Sequence, residues 1–598
     1  MRYVDELTER LKHQLALAYG LKDQLGFGLR QRLREGYSTR DFRADALAGI
    51  VVGIVALPLS MALAVAAGPG GEVAPQHGLY TAIIAGIVCA LLGGTRAQVT
   101  GPTAAFVVIL VPVVRDFGLP GLLCAGMMAG VILVLMGMAR LGRLMQFIPH
   151  PVTTGFTAGI AVVIALMQLK DALGLTLDGR PDGAIAYVEA LWAARRSING
   201  WDALICAATL GLLVGLPRVI KRVPAPLLAL IGASLLVVLL DAIVPSFHVV
   251  TIGSKFSTVI DGETVRGIPP LPPLPVLPWD GDGFVFDYAM IKALLPSAFA
   301  IAMLGAIESL MAAVIADGMT GTKHDPNAEL IALGLANLAC PFFGGIPATG
   351  ALARTATNIR AGATSPLAAV VHAIFILACT IALAPLVAYL PMAGLAALLF
   401  VVAKNMSEAR HFVRLTRIAP RHDVLVLWTC FGLTVLFDMV LAVSVGVVLA
   451  ALLFMRRMAV ITKITIETQV GTQVEMPPGV RLYEIAGPLF FGAANVALAT
   501  LDQIDAAARI VILSMKRVDV MDATGLVALT SILERLQRGE RKVILAGLQP
   551  EPADLLDKAG IKRVPGKLAF APDVDTAVSM AIVHVARGPT GPTSVIAA

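Results

Sequence analysis

The stretch KALLPSAFAIAMLGAIESLMAAVIAD, residues 292–317, decides the fold. Between Lys292 and Asp317 it carries one charged residue, Glu308. With a helical rise of about 1.5 Å per residue, roughly twenty apolar residues cross a hydrocarbon core about 30 Å thick. A carboxyl inside such a segment costs a few kcal/mol on insertion scales, so intramembrane acids usually mark an ion path, a proton relay or a substrate site. The structural alternative is that Glu308 pairs with a neighbouring helix and only holds a bundle together.

The rest of the chain agrees with a membrane reading. Of 598 residues, 57% are hydrophobic and 15% charged, and the mean hydropathy is +0.81. A soluble domain is nearer a quarter charged. Hydropathy places spans at 46–66, 77–93, 99–115, 119–139, 149–173, 201–220, 225–243, 290–317, 327–345, 349–360, 364–388, 391–403, 422–437 and 439–455, about fourteen in all. Several are too short to cross alone and read as half-helices. Residues 1–45 are expected to be a cytoplasmic segment, partly on anionic lipid, without a signal peptide. The transmembrane domain is expected over 46–455, in halves 46–243 and 290–455.

The net charge of +6 calls for no nucleic acid. Arg96, Arg140, Arg143, Arg218, Lys221, Arg222, Lys323, Lys404, Arg410, Arg414, Arg417 and Arg421 fall in alternate loops, the positive-inside pattern. Both termini are therefore expected in the cytoplasm. Two outer loops are long, about 174–200 and about 244–289. The second holds IPPLPPLPVLP (268–278), a stiff connector between the two halves. The six cysteines lie in apolar runs without metal-ligand spacing, so neither disulfides nor a metal site are expected.

Broken helices give the first clue to a site. Pro58 interrupts the first span, GPTAA (101–105) opens the third, and PATGA (347–351) precedes the tenth. Gly/Pro-interrupted spans at matching places in two halves point to a transporter site at the midplane. Proline and glycine are also common in membrane helices, so the matched register carries the inference. A half-helix ending near the bilayer centre presents unpaired N–H groups and partial positive charge, and two such ends make an anion site. Thr103, Ala104, Ala105, Ala351 and Ala353 leave room there. Arg354 adds positive charge or serves as a structural partner.

After about residue 480 the period changes. VRLYEIA, RIVILSM (509–515) and KVILAGL (542–548) read as strands, with helices at about 493–504, 523–538 and 550–559. This is a small α/β domain over 480–598, joined by a linker at 456–479. Asp522 is expected to cap the helix that follows it.

PQHGLY (75–80) followed by GGTR (93–96) resembles the signature of the sulfate permease (SulP) family, with Thr95 where the family usually has Ser. AIESLMAAVIADGMTGTKHDPNAEL (306–330) and FFGGIPATGALARTATNIRAGATSP (342–366) are similar to the same family, and the tail with DVMDATG resembles a STAS domain. The resemblance implies a polytopic helical fold of two inverted seven-span repeats, divided into core and gate domains like nucleobase permeases of the UraA type. It implies an anion carrier, commonly homodimeric, in the bacterial inner membrane. Its site would lie between the third and tenth helices with the first and eighth beside it, which adds Ser60 and Leu352 to the candidates and makes Glu308 the ion-coupling residue.

Some Na⁺-coupled relatives resemble this chain but carry Asp at that position with a hydroxyl one turn later. Ala312 stands there here, which favours a proton over Na⁺. GPTAAFVVIL (101–110), MSEA (406–409), LTVLFDMV (433–440) and LLFMRRMA (452–459) resemble the DauA-type C4-dicarboxylate transporters, implying succinate, fumarate or aspartate as substrate. Sulfate or bicarbonate is the alternative within the family, and an anion-binding sensor signalling through the tail to a cytoplasmic protein is the alternative outside it. No enzymatic nucleophile–base pair or cofactor is expected. In phosphorylated STAS relatives a Ser follows the Asp of the DVMDATG turn. Ala523 stands there here, so that switch is expected to be absent.

Overall fold

The structure is a computed structural model that describes residues 25–68, 70–143, 149–177, 183–220, 224–260, 263–280, 285, 287–437, 439–461, 463–467, 469–470, 474–489 and 508–587. The chain divides into two compact units between Val447 and Val448. Each is described by itself.

The first unit is helical. A short α1 (Phe27–Arg34) precedes α2 (Thr39–Ala67), α3 (Pro75–Leu92), α4 (Ala104–Met138), α5 (His150–Ala172), α6 (Gly183–Ala193), α7 (Gly200–Val219) and α8 (Ala225–Ile243). The second half runs through α9 (Tyr288–Thr320), α10 (Pro326–Ala339), α11 (Leu352–Arg360), α12 (Leu367–Val387), α13 (Met392–Met406), α14 (Ala409–Ile418) and α15 (Arg421–Leu436), and α16 (Met439–Ile461) carries the chain across the division into the second unit. The starts follow local chemistry. Ser38 and Asp41 form a capping box on α2, Asp287 caps α9 through the Met290 N–H (2.8 Å), and Asp325 caps α10 through Asn327 and Ala328.

The expected third and fourth spans form one element, α4, broken at Gly118 (φ 67°), a backbone conformation that glycine adopts without penalty. With α4 counted twice, α2 to α5 with α7 and α8 make seven segments, and α9 to α13 with α15 and α16 make seven more. Among the described residues, eight helices are long and apolar enough to span a bilayer unaided, and a ninth candidate span, Met392–Ile418, runs through α13 and α14. Two short strands, β1 (Thr100–Gly101) and β2 (Thr349–Gly350), pair antiparallel.

Packing sorts these helices into two groups. α4 lies against α9 and α10, and α12 against α2 and α3. Separately, α5 packs on α13 and α15, and α13 on α7. Glycine sets the tightest crossing in the first group. A Cβ on Gly130 of α4 would stand 2.7 Å from the Gly334 carbonyl of α10, and one on Gly334 would stand 2.7 Å from the Gly130 carbonyl. The two backbones touch because neither residue has a side chain.

The expected outer loops are not bare. The first contains α6, and the second a small hairpin, Ser257–Ile260 with Glu263–Arg266. The proline run has no helix or strand, and the Val276 N–H donates to the Phe342 carbonyl (2.8 Å).

The second unit holds a five-stranded sheet in the order β7-β6-β5-β4-β3, made of β3 (Lys463–Glu467), β4 (Val480–Ala486), β5 (Ile510–Arg517), β6 (Lys542–Ala546) and β7 (Leu568–Ala571). β4 to β7 are parallel, and β3 is antiparallel to β4. Helices α17 (Ala523–Arg538) and α18 (Pro550–Lys558) bury Leu529, Leu533 and Leu556 against one face, and α19 (Val574–Arg587) buries Ala577 and Ala581 against the other. The expected linker therefore contains a strand of the sheet, and β7 adds one that the sequence reading did not include. The helix expected at 493–504 lies outside the described residues. Asp522 caps α17, accepting from the Gly525 N–H at 2.7 Å.

Candidate functional site

The PQHGLY segment and the loops around it explain how the two broken helices meet. Gly78 lets α3 press on α2, since a Cβ there would run into the Ser60 carbonyl. On the same helix, His77 Nδ1 donates to the Gly344 carbonyl (2.6 Å) and Thr81 Oγ1 donates to the Ile346 carbonyl (3.0 Å). The first half thus holds the loop that leads into β2.

The second half returns the contact. Glu329, on the first turn of α10, accepts from the Gly94 N–H (3.0 Å) and from Thr95 Oγ1 (2.7 Å), while Ser309 Oγ donates to its other oxygen (3.4 Å). This braces the loop that leads into β1. Glu329 was not among the sequence candidates, although it is a buried acid at the start of an apolar span.

Between these braces β1 and β2 cross. The Ala351 N–H donates to the Val99 carbonyl (2.9 Å), the Val99 N–H to Thr355 Oγ1 (3.1 Å), and Asn358 Nδ2 to the Ala97 carbonyl (2.9 Å). Gln98 Nε2 donates to Ser309 Oγ (2.6 Å), and Thr349 Oγ1 to the Gly305 carbonyl (2.8 Å). Helices α4 and α11 therefore begin directly after the paired strands, with Thr103 and Ala351 as their N-cap residues. Neither start has a side-chain cap. The first-turn N–H groups of both helices, at Ala104, Ala105, Leu352 and Ala353, are the donors that an anion takes up at helix N-termini.

Glu308 of α9 stands beside this junction. It is 8% exposed, and Thr103 Oγ1 donates to its Oε2 at 2.9 Å. The hydroxyl that would cap α4 is thus committed to the carboxyl. Arg354 is 3% exposed. Its Nη2 donates to the Pro102 carbonyl, while Nε and Nη1 have no hydrogen-bond partner. It is close enough to Glu308 for the two charges to interact, yet its direct bond goes to backbone.

The remaining candidates are placed as follows. Ala104, Ala105 and Ala351 are buried, Thr103 and Leu352 are partly open, and Ala353 is exposed. Ser60 is buried on α2 with its Oγ unpartnered. His372 of α12, absent from the sequence candidates, is also buried, and neither ring nitrogen has a partner. A cavity of about 530 Å³ between α2, α8 and α12 is lined almost wholly by apolar residues such as Leu57, Met61, Leu230 and Leu386. It suits apolar matter.

The model of the sulfate permease family matches residues 42–429, and that of the STAS domain matches residues 472–577. The chain belongs to the sulfate permease family. YvdB of Bacillus subtilis (strain 168), named as a candidate sulfate transporter, is 40% identical over 538 residues, covering 90% of this chain and 97% of its own. The bicarbonate transporter BicA of Picosynechococcus sp. is 28% identical over 581 residues, covering 93% and 98%. Among solved structures, SLC26A9 matches with a TM-score of 0.81 at 18% identity, covering 96% of this chain and 95% of its own, a likeness of fold. This member of the family is accordingly a multi-pass anion transporter with a C-terminal STAS domain, and not an enzyme.

Proposed function

We propose that this permease takes up a small oxyanion by secondary active transport coupled to protons, with sulfate as the first candidate and bicarbonate as the second. The observation that carries the proposal is the paired start of α4 and α11, two uncapped helix N-termini joined by β1 and β2 beside Glu308. The names of YvdB and BicA support these two anions. The C4-dicarboxylate reading rests on four short resembling segments alone and ranks below them.

In this scheme a proton neutralises Glu308, the anion settles on the first-turn N–H groups near Arg354, and the group containing α4, α9 and α11 moves as a body past the other helices. Arg354 supplies long-range positive charge while held by Pro102. A carboxyl with Thr103 as its hydrogen-bond partner suits a proton better than Na⁺, which takes several oxygen ligands. The protein would work in the bacterial inner membrane, as a homodimer with both termini in the cytoplasm.

The substrate is tested by uptake of ³⁵S-labelled sulfate into proteoliposomes, with bicarbonate, succinate and aspartate as competitors at two pH values. Inhibition by unlabelled sulfate and bicarbonate at lower concentrations than by succinate supports the proposal. Succinate competing at the lowest concentration restores the dicarboxylate reading. Binding without accumulation makes the protein a sensor.

A further inference from the structure

Helix α14 joins the membrane helices α13 and α15 and sorts its side chains by character. Arg410, Arg414 and Arg417 recur at i, i+4 and i+7. At 3.6 residues per turn they fall within an arc of about 60°. Phe412 points the opposite way and is buried, its ring 5.1 Å from Trp428 and 5.3 Å from Phe431 between centroids. That aromatic cluster, with Ala158 and Leu427, fixes the rotation of the helix and turns the arginines outward.

All three arginines are exposed, and among the described residues none has an ion pair. The nearest acids in sequence do not neutralise them. Glu408 is the N-cap residue, at φ 40° and without a side-chain cap bond, and Asp423 lies in the first turn of α15. The other charged or titratable neighbours are Lys404, Arg421, His422, His411 and His150, with the last two rings 5.2 Å apart. The field over this face is therefore positive.

Apolar residues flank the same face. Val413 is 46% exposed and Ile418 66%. Water leaves this apolar border uncovered, and a free inorganic anion does not cover it either. A molecule with a phosphate and acyl chains meets both parts of the surface.

We propose that the arginine face of α14 is a binding site for an anionic phospholipid headgroup. The guanidiniums of Arg410, Arg414 and Arg417 hold its phosphate, for which the planar fork of arginine is suited. Val413 and Ile418 meet the first methylenes of its chains. Since α14 packs on α5 and α15, the lipid anchors the helix group that lacks the anion site. The site is independent of which anion is carried.

The test uses purified full-length protein in micelles doped with phosphatidylglycerol or phosphatidylcholine, with retained lipid counted by native mass spectrometry. Phosphatidylglycerol should be retained selectively. Each Arg→Gln change should weaken retention about 5-fold, and the triple R410Q/R414Q/R417Q variant on the order of 100-fold, if each arginine contributes as basic residues near an anionic surface do. Added salt should weaken it further. Val413→Asn combined with Ile418→Asn should also reduce retention, which separates a lipid from a free phosphate. Equal retention of the two lipids, wild-type retention by the triple variant, or full displacement by inorganic phosphate would overturn the proposal. If the triple variant does not fold, Arg414→Gln against Arg414→Lys decides, with Lys expected between Gln and the wild type and equal retention by Gln and the wild type refuting the site.

Discussion

Removing the Glu329 carboxylate should loosen the anion site from behind. In Glu329→Ala the Gly94 N–H and the Thr95 hydroxyl lose their acceptor in a buried setting, and Ser309 loses a weaker one. An orphaned buried donor costs about 1–3 kcal/mol, so the two short bonds together are worth about 2–6 kcal/mol. Glu329→Gln keeps one acceptor oxygen and places an amide near Ser309, so it should lose about 1–2 kcal/mol, the extra strength of a charge-assisted bond. The braced loop leads within a few residues to Gln98, β1 and Thr103. Anion affinity should therefore fall with stability. Thermal unfolding in detergent, with and without sulfate, reads both effects. An Ala variant as stable as the wild type, or one that loses stability while its sulfate-induced stabilisation is unchanged, would refute the claim that this brace supports the site.

Three further outcomes follow from the same contacts. Gly334→Ala should cost about 1–3 kcal/mol by forcing α4 and α10 apart, because its Cβ meets the Gly130 carbonyl at 2.7 Å; a cysteine crosslink across this crossing should form more slowly in the variant. Asp522→Ala should destabilise the STAS unit by about 1 kcal/mol through the lost cap on Gly525, seen as earlier denaturant unfolding of the tail. The Glu35 carboxylate, outside the membrane, is held below its usual range first by hydrogen bonding to Arg96. Its folded value is the lower one, so the stabilisation is present above the ordinary carboxylate range and is lost as pH falls through the lowered value. Limited proteolysis at residues 35–38 should be unchanged between pH 7 and pH 5 in the wild type and faster at both in Arg96→Gln.

How much of this was legible depended on where partners lie along the chain. α8 and α17 were readable to the residue, since Pro224 and Asp522 mark their starts and the apolar pattern fills the rest. The facing half-helices were readable because GPTAA and PATGA sit at matching places in the two halves. Glu329 was not, because its two closer donors, Thr95 and Gly94, are 234 and 235 residues away and an acid in a first turn looks like an ordinary helix end. Arg354 could not be assigned either, since its bond goes to a backbone carbonyl 252 residues away, which residue types do not reveal. His372 lies inside an apolar run and differs from a core histidine only through its unpartnered ring. β3 was hidden because KITIE, an edge strand of five residues, resembles a linker until its partner is in place. Arg115 and Asp116 interrupt the apolar run just before Gly118, so hydropathy found two spans and not their direct join.

The central claim is that Glu308, bonded to Thr103 beside the two helix ends, carries the coupling proton while those ends carry the anion. Its most direct test is sulfate accumulation in proteoliposomes with and without an inward proton gradient, for the wild type and Glu308→Gln. The wild type should accumulate sulfate only with the gradient, and an inward Na⁺ gradient should not replace it. Glu308→Gln should still bind sulfate and equilibrate it, yet fail to concentrate it. Full gradient-driven accumulation by Glu308→Gln would contradict the account.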